Sequence, residues 1–131
     1  MIVRNGKTIH LMGKNISYIM LESEKKDLLH FYFGNKLRDE DYSENIREYE
    51  RGGFITNDLC LDELPQEFPS FGRRDLRMPA YHLENGFGNT LSELSVKEYI
   101  IHNNAAAQID GMPSLYVGNQ KCDTLEVVLT D

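Results

Sequence analysis

The stretch ISYIMLESEKKDLLHFYFGN, residues 16–35, decides the fold. In its first seven residues Ile16, Tyr18 and Met20 share one face, and Ile19 and Leu21 share the other. Side chains of an extended chain alternate between faces, so this run reads as a strand buried on both sides. Asp27 to Phe33, DLLHFYF, repeats the pattern and is rich in aromatics. Ser23 to Lys26 between them is short and polar, as a turn between strands should be.

Upstream, Lys7 to Met12 (KTIHLM) places Ile9 and Leu11 on one face. Asn5-Gly6 and Gly13-Lys14-Asn15 supply turns on either side of it. Residues 1–33 therefore read as an antiparallel meander. Downstream, Ala80 to Glu84 is strand-like, and Asn85-Gly86 favours a tight turn because both residues tolerate positive φ. Leu94 to His102 alternates, with Leu94, Val96 and Ile100 against Ser95, Lys97, Tyr99 and Ile101. Ser114 to Val117 is a short strand candidate. Thr124 to Thr130 alternates, with Leu125, Val127 and Leu129 inward. The fold class expected is all-β, an antiparallel sandwich of two packed sheets.

Leu37 to Asp62 lacks that periodicity. RDEDYSENIREYERGG is charged and carries Asp39, Glu40, Asp41, Glu44, Glu48 and Glu50. It reads either as a solvated loop or as one short helix within residues 43–52, with Ile46 and Tyr49 on one side. Long loops of this kind often carry function.

The chain has 131 residues, 40% hydrophobic and 27% charged, which suits one soluble domain holding a core without staples. Its formal net charge is −7. Nucleic acids and anionic membranes are bound largely through Lys and Arg, so an acidic chain without a basic stripe is expected to bind neither. A neutral partner, such as a sugar or another protein, is compatible. Cys60 and Cys122 are isolated thiols, expected reduced and buried. The first residues carry no long apolar run and no small-residue cleavage site, so no leader and no membrane span are expected, and a cytoplasmic location follows. His10, His30, His82 and His102 lie in strand-like runs without metal-ligand spacing, and read as satisfied or surface histidines. No nucleophile elbow, phosphate-binding loop or C-x-x-C occurs.

Three of the four prolines, Pro65, Pro69 and Pro79, punctuate PQEFPSFGRRDLRMPAYHLENG, residues 65–86. Such a stretch is neither a helix interior nor a central strand. Each X-Pro step favours extended backbone at Leu64, Phe68, Met78 and Met112. Yet the stretch carries Phe68, Phe71, Leu76, Met78 and Tyr81, more apolar surface than a free linker needs. It reads as a rigid brace. Asp75 and Arg77, two apart on extended chain, share a side and could pair with each other or across an interface.

Leu64 to Ala80, LPQEFPSFGRRDLRMPA, resembles the signature near the N-terminus of glycoside hydrolase family 36 α-galactosidases, approximately L-P-Q-E-[YF]-P-x-[YF]-G-x-x-D-[FY]-R-x-P-A. Pro65, Gln66, Glu67, Phe68, Pro69, Phe71, Gly72, Asp75, Arg77, Pro79 and Ala80 fit; Leu76 stands where an aromatic is usual. His30 to Asp39 (HFYFGNKLRD) resembles the family's H-L-Y-[FW]-G-K. Gly111 to Val117 (GMPSLYV) resembles G-L-P-A-T-Y-V, and Asp123 to Asp131 (DTLEVVLTD) resembles E-T-L-E-I-x-L-x-D. The four matches are in order and span nearly the whole chain.

The resemblance implies part of a β-supersandwich, residues 1–131 forming one domain at the N-terminal end of a longer enzyme. In that family both catalytic aspartates sit in a (β/α)8 barrel, which is absent here, so this chain is expected to be inactive alone and to need no cofactor and no metal. Its implied roles are to scaffold and to oligomerise, with its own catalytic barrel and a homo-oligomer as partners. The parent would hydrolyse terminal α-galactosides of the melibiose and raffinose type with retention. The motif residues Pro65, Gln66, Glu67, Phe68, Gly72, Asp75, Arg77 and Pro79 would form a domain interface. In tetrameric relatives the loop before P-Q-E reaches toward an active-site mouth. Asn57 stands where the family commonly has Arg, and can offer a sugar an amide but no charged fork. Arg47, Glu48 and Tyr49 are further candidates on that loop. The competing readings are a stand-alone carbohydrate-binding module, with Tyr42, Tyr49, Phe54 or Phe71 as stacking platform, and a plain protein-interaction β domain.

Overall fold

The computed structural model describes residues 1–46, 64–71, 77–107, 109–113 and 120–131. Four strands form the meander expected from the first residues: β1 (Ile2–Asn5), β2 (Thr8–Met12), β3 (Ile16–Glu22) and β4 (Leu28–Asn35). They make one antiparallel sheet in the order β1-β2-β3-β4. Asn5 pairs with Thr8, so Gly6 and Lys7 form a two-residue turn, with Gly6 at φ +58. That left-handed conformation suits a residue without Cβ and matches the twist of the flanking strands. Ser23 closes the β3–β4 turn: its hydroxyl donates to Asp27 Oδ2 at 2.8 Å, and its Oγ accepts the Asp27 N–H at 3.0 Å.

The strict alternation of β4 fails at one place for a physical reason. Ile19 pairs with Tyr32 but Met20 pairs with His30, so Phe31 is an extra residue, a bulge. Phe31 and Tyr32 consequently both pack against the cluster of Ile19, Leu21, Leu29 and Leu64. Ser17, Ile19, Met20 and Leu21 are buried, so the central strand is covered on both faces, as its sequence predicts.

The second sheet pairs β5 (Ser95–His102) with β6 (Thr124–Thr130), antiparallel, with an irregularity between Val96 and Glu98. It joins the first sheet through the Val96 N–H, which donates to Lys26 O at 2.8 Å, and through the Arg4 guanidinium, 4.6 Å from the Tyr99 ring centre. The Met1 ammonium lies 3.1 Å from Asp123. The fold is therefore all-β, in two antiparallel sheets.

Residues 36–46 cross the inner face of the first sheet, where Leu37, Tyr42 and Ile46 pack on the core cluster. A row of buried polar side chains holds this crossing. Ser17 Oγ accepts the Leu37 N–H at 2.9 Å. Thr8 Oγ1 accepts the Tyr42 N–H at 2.8 Å and donates to Asp41 Oδ1 at 2.8 Å. A buried polar group left without a partner costs about 1–3 kcal/mol, so these bonds are what permits Thr8 and Ser17 to face the core. Two carboxylates of the acidic stretch are thus structural: Asp41 through Thr8, and Asp39 as acceptor from Asn5 Nδ2 at 2.7 Å.

The single helical turn weighed after Ser43 is present as a 3-10 turn, Ser43–Asn45; Ile46 turns to the core, and Arg47 to Gly52 lie outside the described residues. Three other sequence expectations are corrected. Ala80 to Glu84 joins no sheet; the Ala80 N–H donates to Pro69 O, in the proline segment, at 2.8 Å. The turn at Asn85-Gly86 exists, but its positive φ falls on Gly88 (+77), since Asn85 O accepts the Gly88 N–H. Ser114 to Val117 lies outside the described residues, as does Cys60, while Cys122 is half-buried rather than buried. Among the described residues no helix is long and apolar enough to cross a membrane.

Candidate functional site

Pro65 cannot donate to a ladder, but its carbonyl can accept. It takes the His30 N–H at 2.6 Å, Gln66 stands opposite Leu29, and the Glu67 N–H donates to Leu28 O at 2.9 Å. The proline segment thereby docks antiparallel on the outer edge of β4. An unpaired edge is a template for foreign strands, and Pro65 to Glu67 cover the first part of this one, Leu28 to His30, without extending the sheet further. Leu64, 5% exposed, anchors the approach in the core cluster.

Docking places the Glu67 carboxylate over β3 and β4. Tyr18 Oη lies 2.5 Å and 2.6 Å from its two oxygens, and His30 Nδ1 lies 2.9 Å from Oε1. The Tyr18 ring meets the His30 ring edge-on at 5.2 Å and the Phe33 ring at 5.9 Å. Burial, reinforced by the hydrogen bond and negative charge of Glu67, pushes the Tyr18 hydroxyl up to about 12 from 10.0. Tyr18 therefore stays a donor at neutral pH. Both Glu67 oxygens are engaged by neighbours on the sheet, so this carboxylate fastens the segment rather than offering itself to a reactant.

Beyond Glu67 the segment folds on itself. Phe68 stacks on Tyr81 at 5.2 Å with 13° between ring planes, and the Ser92 N–H donates to Phe71 O at 3.2 Å. Tyr81 Oη and Ser92 Oγ are hydrogen-bonded. Pro79 and Arg77 are half-buried, while Met78 is 88% exposed and Phe33 63%. Gly72 and Asp75 lie outside the described residues, so the pairing expected of Asp75 with Arg77 does too. The same holds for Arg47, Glu48, Tyr49, Phe54 and Asn57. An open hollow of about 510 Å³ is lined by Gly6, Lys7, Glu24, Asp41, Ser43, Glu44 and Ile46.

The four histidines go separate ways. His10 is buried, with Nε2 2.8 Å from Ser17 Oγ. His30 joins Glu67, His102 lies 2.8 Å from Glu126, and His82 is exposed. Among the described residues no three metal-ligating side chains converge. Tyr42 is not available as a sugar platform: its ring packs on Phe31 at 5.5 Å and its hydroxyl donates to Arg38 O at 2.9 Å. Sequence reasoning did not find Tyr18 or the buried row of Thr8, His10 and Ser17. The available signal for the row was polar residues at inward positions of otherwise apolar strands.

Comparisons with known proteins agree with this architecture. Residues 26–131 match the family described as glycosyl hydrolase family 36 N-terminal domain. α-Galactosidase AgaA of Geobacillus stearothermophilus is 32% identical, over 95% of this chain and 18% of its own length. The bifunctional α-galactosidase/sucrose kinase AgaSK of Mediterraneibacter gnavus is 32% identical over 97% of this chain and 14% of its own. Its solved galactosidase domain superposes on all of this chain and 19% of that one, with a TM-score of 0.86 and 29% identity. A variant of the Geobacillus enzyme solved in complex with raffinose gives a TM-score of 0.82 at 32% identity, covering 95% of this chain and 18% of that one. The chain thus spans less than a fifth of the length of these relatives.

Proposed function

Because this chain belongs to the glycosyl hydrolase family 36 N-terminal domain family, we propose that residues 1–131 act as one non-catalytic scaffold domain of a longer, retaining α-galactosidase. The reaction centre lies on the rest of that polypeptide, and the substrates are terminal α-galactosides of the melibiose and raffinose type. The parent works in the cytoplasm as a homo-oligomer. The observation that carries the reading is the engagement of Glu67. The acid of the P-Q-E motif has both oxygens occupied by Tyr18 and His30, so the motif builds structure instead of doing chemistry. What it builds is a braced sheet edge with Phe33, Phe68, Phe71 and Met78 exposed on and beside it. Exposed apolar side chains suit contact with another part of a larger protein.

Three measurements test this. The purified 131-residue chain is expected to give no turnover of a chromogenic α-galactoside; appreciable turnover would place the reaction centre here and overturn the proposal. Calorimetric titration with galactose or raffinose is expected to show no millimolar binding, whereas binding would favour a carbohydrate-binding module. Sedimentation is expected to show self-association, and a clean monomer at high concentration contradicts the oligomer.

A further inference from the structure

The chain contains two chemically identical dipeptides, Asn5-Gly6 and Asn85-Gly86, and the fold treats them oppositely. Asn-Gly is the dipeptide in which the following amide nitrogen most easily reaches the side-chain carbonyl, because glycine puts no Cβ in the way. At Asn85 the turn supplies donors to that carbonyl. Its Oδ1 accepts the N–H groups of Phe87 and Asn89, both at 3.0 Å. Two donors on one carbonyl oxygen polarise it, and they stabilise the negative charge that oxygen acquires when a nucleophile adds to Cγ. The backbone bonds Asn85 N–H to Asn89 O and Gly88 N–H to Asn85 O hold the loop closed meanwhile. Asn85 and Gly86 are exposed, nothing lies within 4 Å of where a Gly86 Cβ would be, and no described residue accepts the Gly86 N–H.

Asn5 is held out of the same reaction. It is half-buried at the end of β1, in register with Thr8. Its amide nitrogen, which would have to leave, donates to Asp39 Oδ1 at 2.7 Å. The Asp41 carboxylate closes over Gly6, and Gly6 O accepts from Arg4 Nε at 3.3 Å.

We propose that Asn85, and not Asn5, is the site at which this chain deamidates spontaneously through a succinimide. Gly86 N forms a bond to Asn85 Cγ and loses its proton; the Cγ–Nδ2 bond breaks, and ammonia leaves with that proton. Water then opens the ring at either carbonyl, giving an aspartyl or an isoaspartyl residue and one new carboxylate beside Glu84. The aspartyl product can still accept from Phe87 and Asn89. The isoaspartyl product lengthens the backbone by one methylene inside the closed 85–89 turn and opens it.

The test is peptide mapping by mass spectrometry of the folded chain, aged at neutral to mildly alkaline pH, beside the same chain aged in urea. In the folded chain, loss of ammonia and its replacement by water are expected at position 85 at least about tenfold ahead of position 5. In urea the two rates are expected to converge. Asn5 keeping pace in the folded chain overturns the proposal, and so does a gap that survives unfolding, since the fold would then not be its cause. Gly86→Ala, in open space, should slow conversion at position 85 by about tenfold or more by hindering the approach. An unchanged rate in that variant excludes the succinimide route.

Discussion

Tyr18 Oη sits between the two carboxylate oxygens of Glu67, 2.5 Å from one and 2.6 Å from the other, across 49 residues of sequence. This contact, with His30 on the same carboxylate, ties the proline segment to the sheet. Hydrogen bonds to charged groups contribute about 1.5–3 kcal/mol. Tyr18→Phe, Glu67→Gln and the double variant, compared by urea unfolding, should give a coupling energy of about 1–2 kcal/mol. Additive single effects would show that the contact is decorative.

Alkaline stability follows from the same residue. The Tyr18 hydroxyl ionises near 10.0 in the unfolded chain and at about 12 in the folded one. The folded state holds its proton longer, so this contribution is complete below pH 10 and is lost as pH rises from there toward 12. Tyr18→Phe should therefore flatten the alkaline limb of the unfolding midpoint against pH.

His10 contributes on the acid side. It is 1% exposed, and burial pushes its ring below the ordinary 6.5, outweighing the opposing pull of Asp39. Its Nδ1 has no hydrogen-bond partner among the described residues and lies 3.8 Å from Asp39 Oδ1. A depressed histidine favours the neutral folded form. Its contribution is present above pH 6.5 and is lost as pH falls through the folded value. His10→Gln should reduce the drop in thermal midpoint between pH 7 and pH 5, and an unchanged drop would assign the acid loss to other groups.

Ser17 serves two neighbours at once, His10 Nε2 and the Leu37 N–H. Ser17→Ala leaves the buried His10 ring nitrogen and the part-buried Leu37 N–H without their partner. At about 1–3 kcal/mol each, partly recovered by rearrangement, the loss should be about 2–4 kcal/mol in urea unfolding. The Leu37 amide should also lose protection in hydrogen exchange.

Gly6 stands at φ +58 with the Asp41 carboxylate where a Cβ would go. Gly6→Ala should destabilise by about 1–2 kcal/mol from the left-handed backbone alone, and more from displacing Asp41. Gly86→Ala, which meets open space and an ordinary φ, should cost much less. Equal costs would contradict the turn geometry.

Residues 16–35 carried the fold in their own pattern. Alternation in ISYIMLE and DLLHFYF dictated two strands, and the meander, the last strand at Thr124–Thr130 and the antiparallel class follow from spacing and turn chemistry. The P-Q-E segment announced itself by its prolines and by its family likeness. Tertiary structure alone decided what those residues do. Pro65 and Glu67 acquire their role only when the β4 edge arrives beside them, since an edge has no signature in the segment that covers it. Ala80 to Glu84 has a strand's composition, yet it joins no sheet and the Ala80 N–H donates to Pro69 O. The same reason separates Asn5 from Asn85: local chemistry is identical, and only what the fold places around each amide differs.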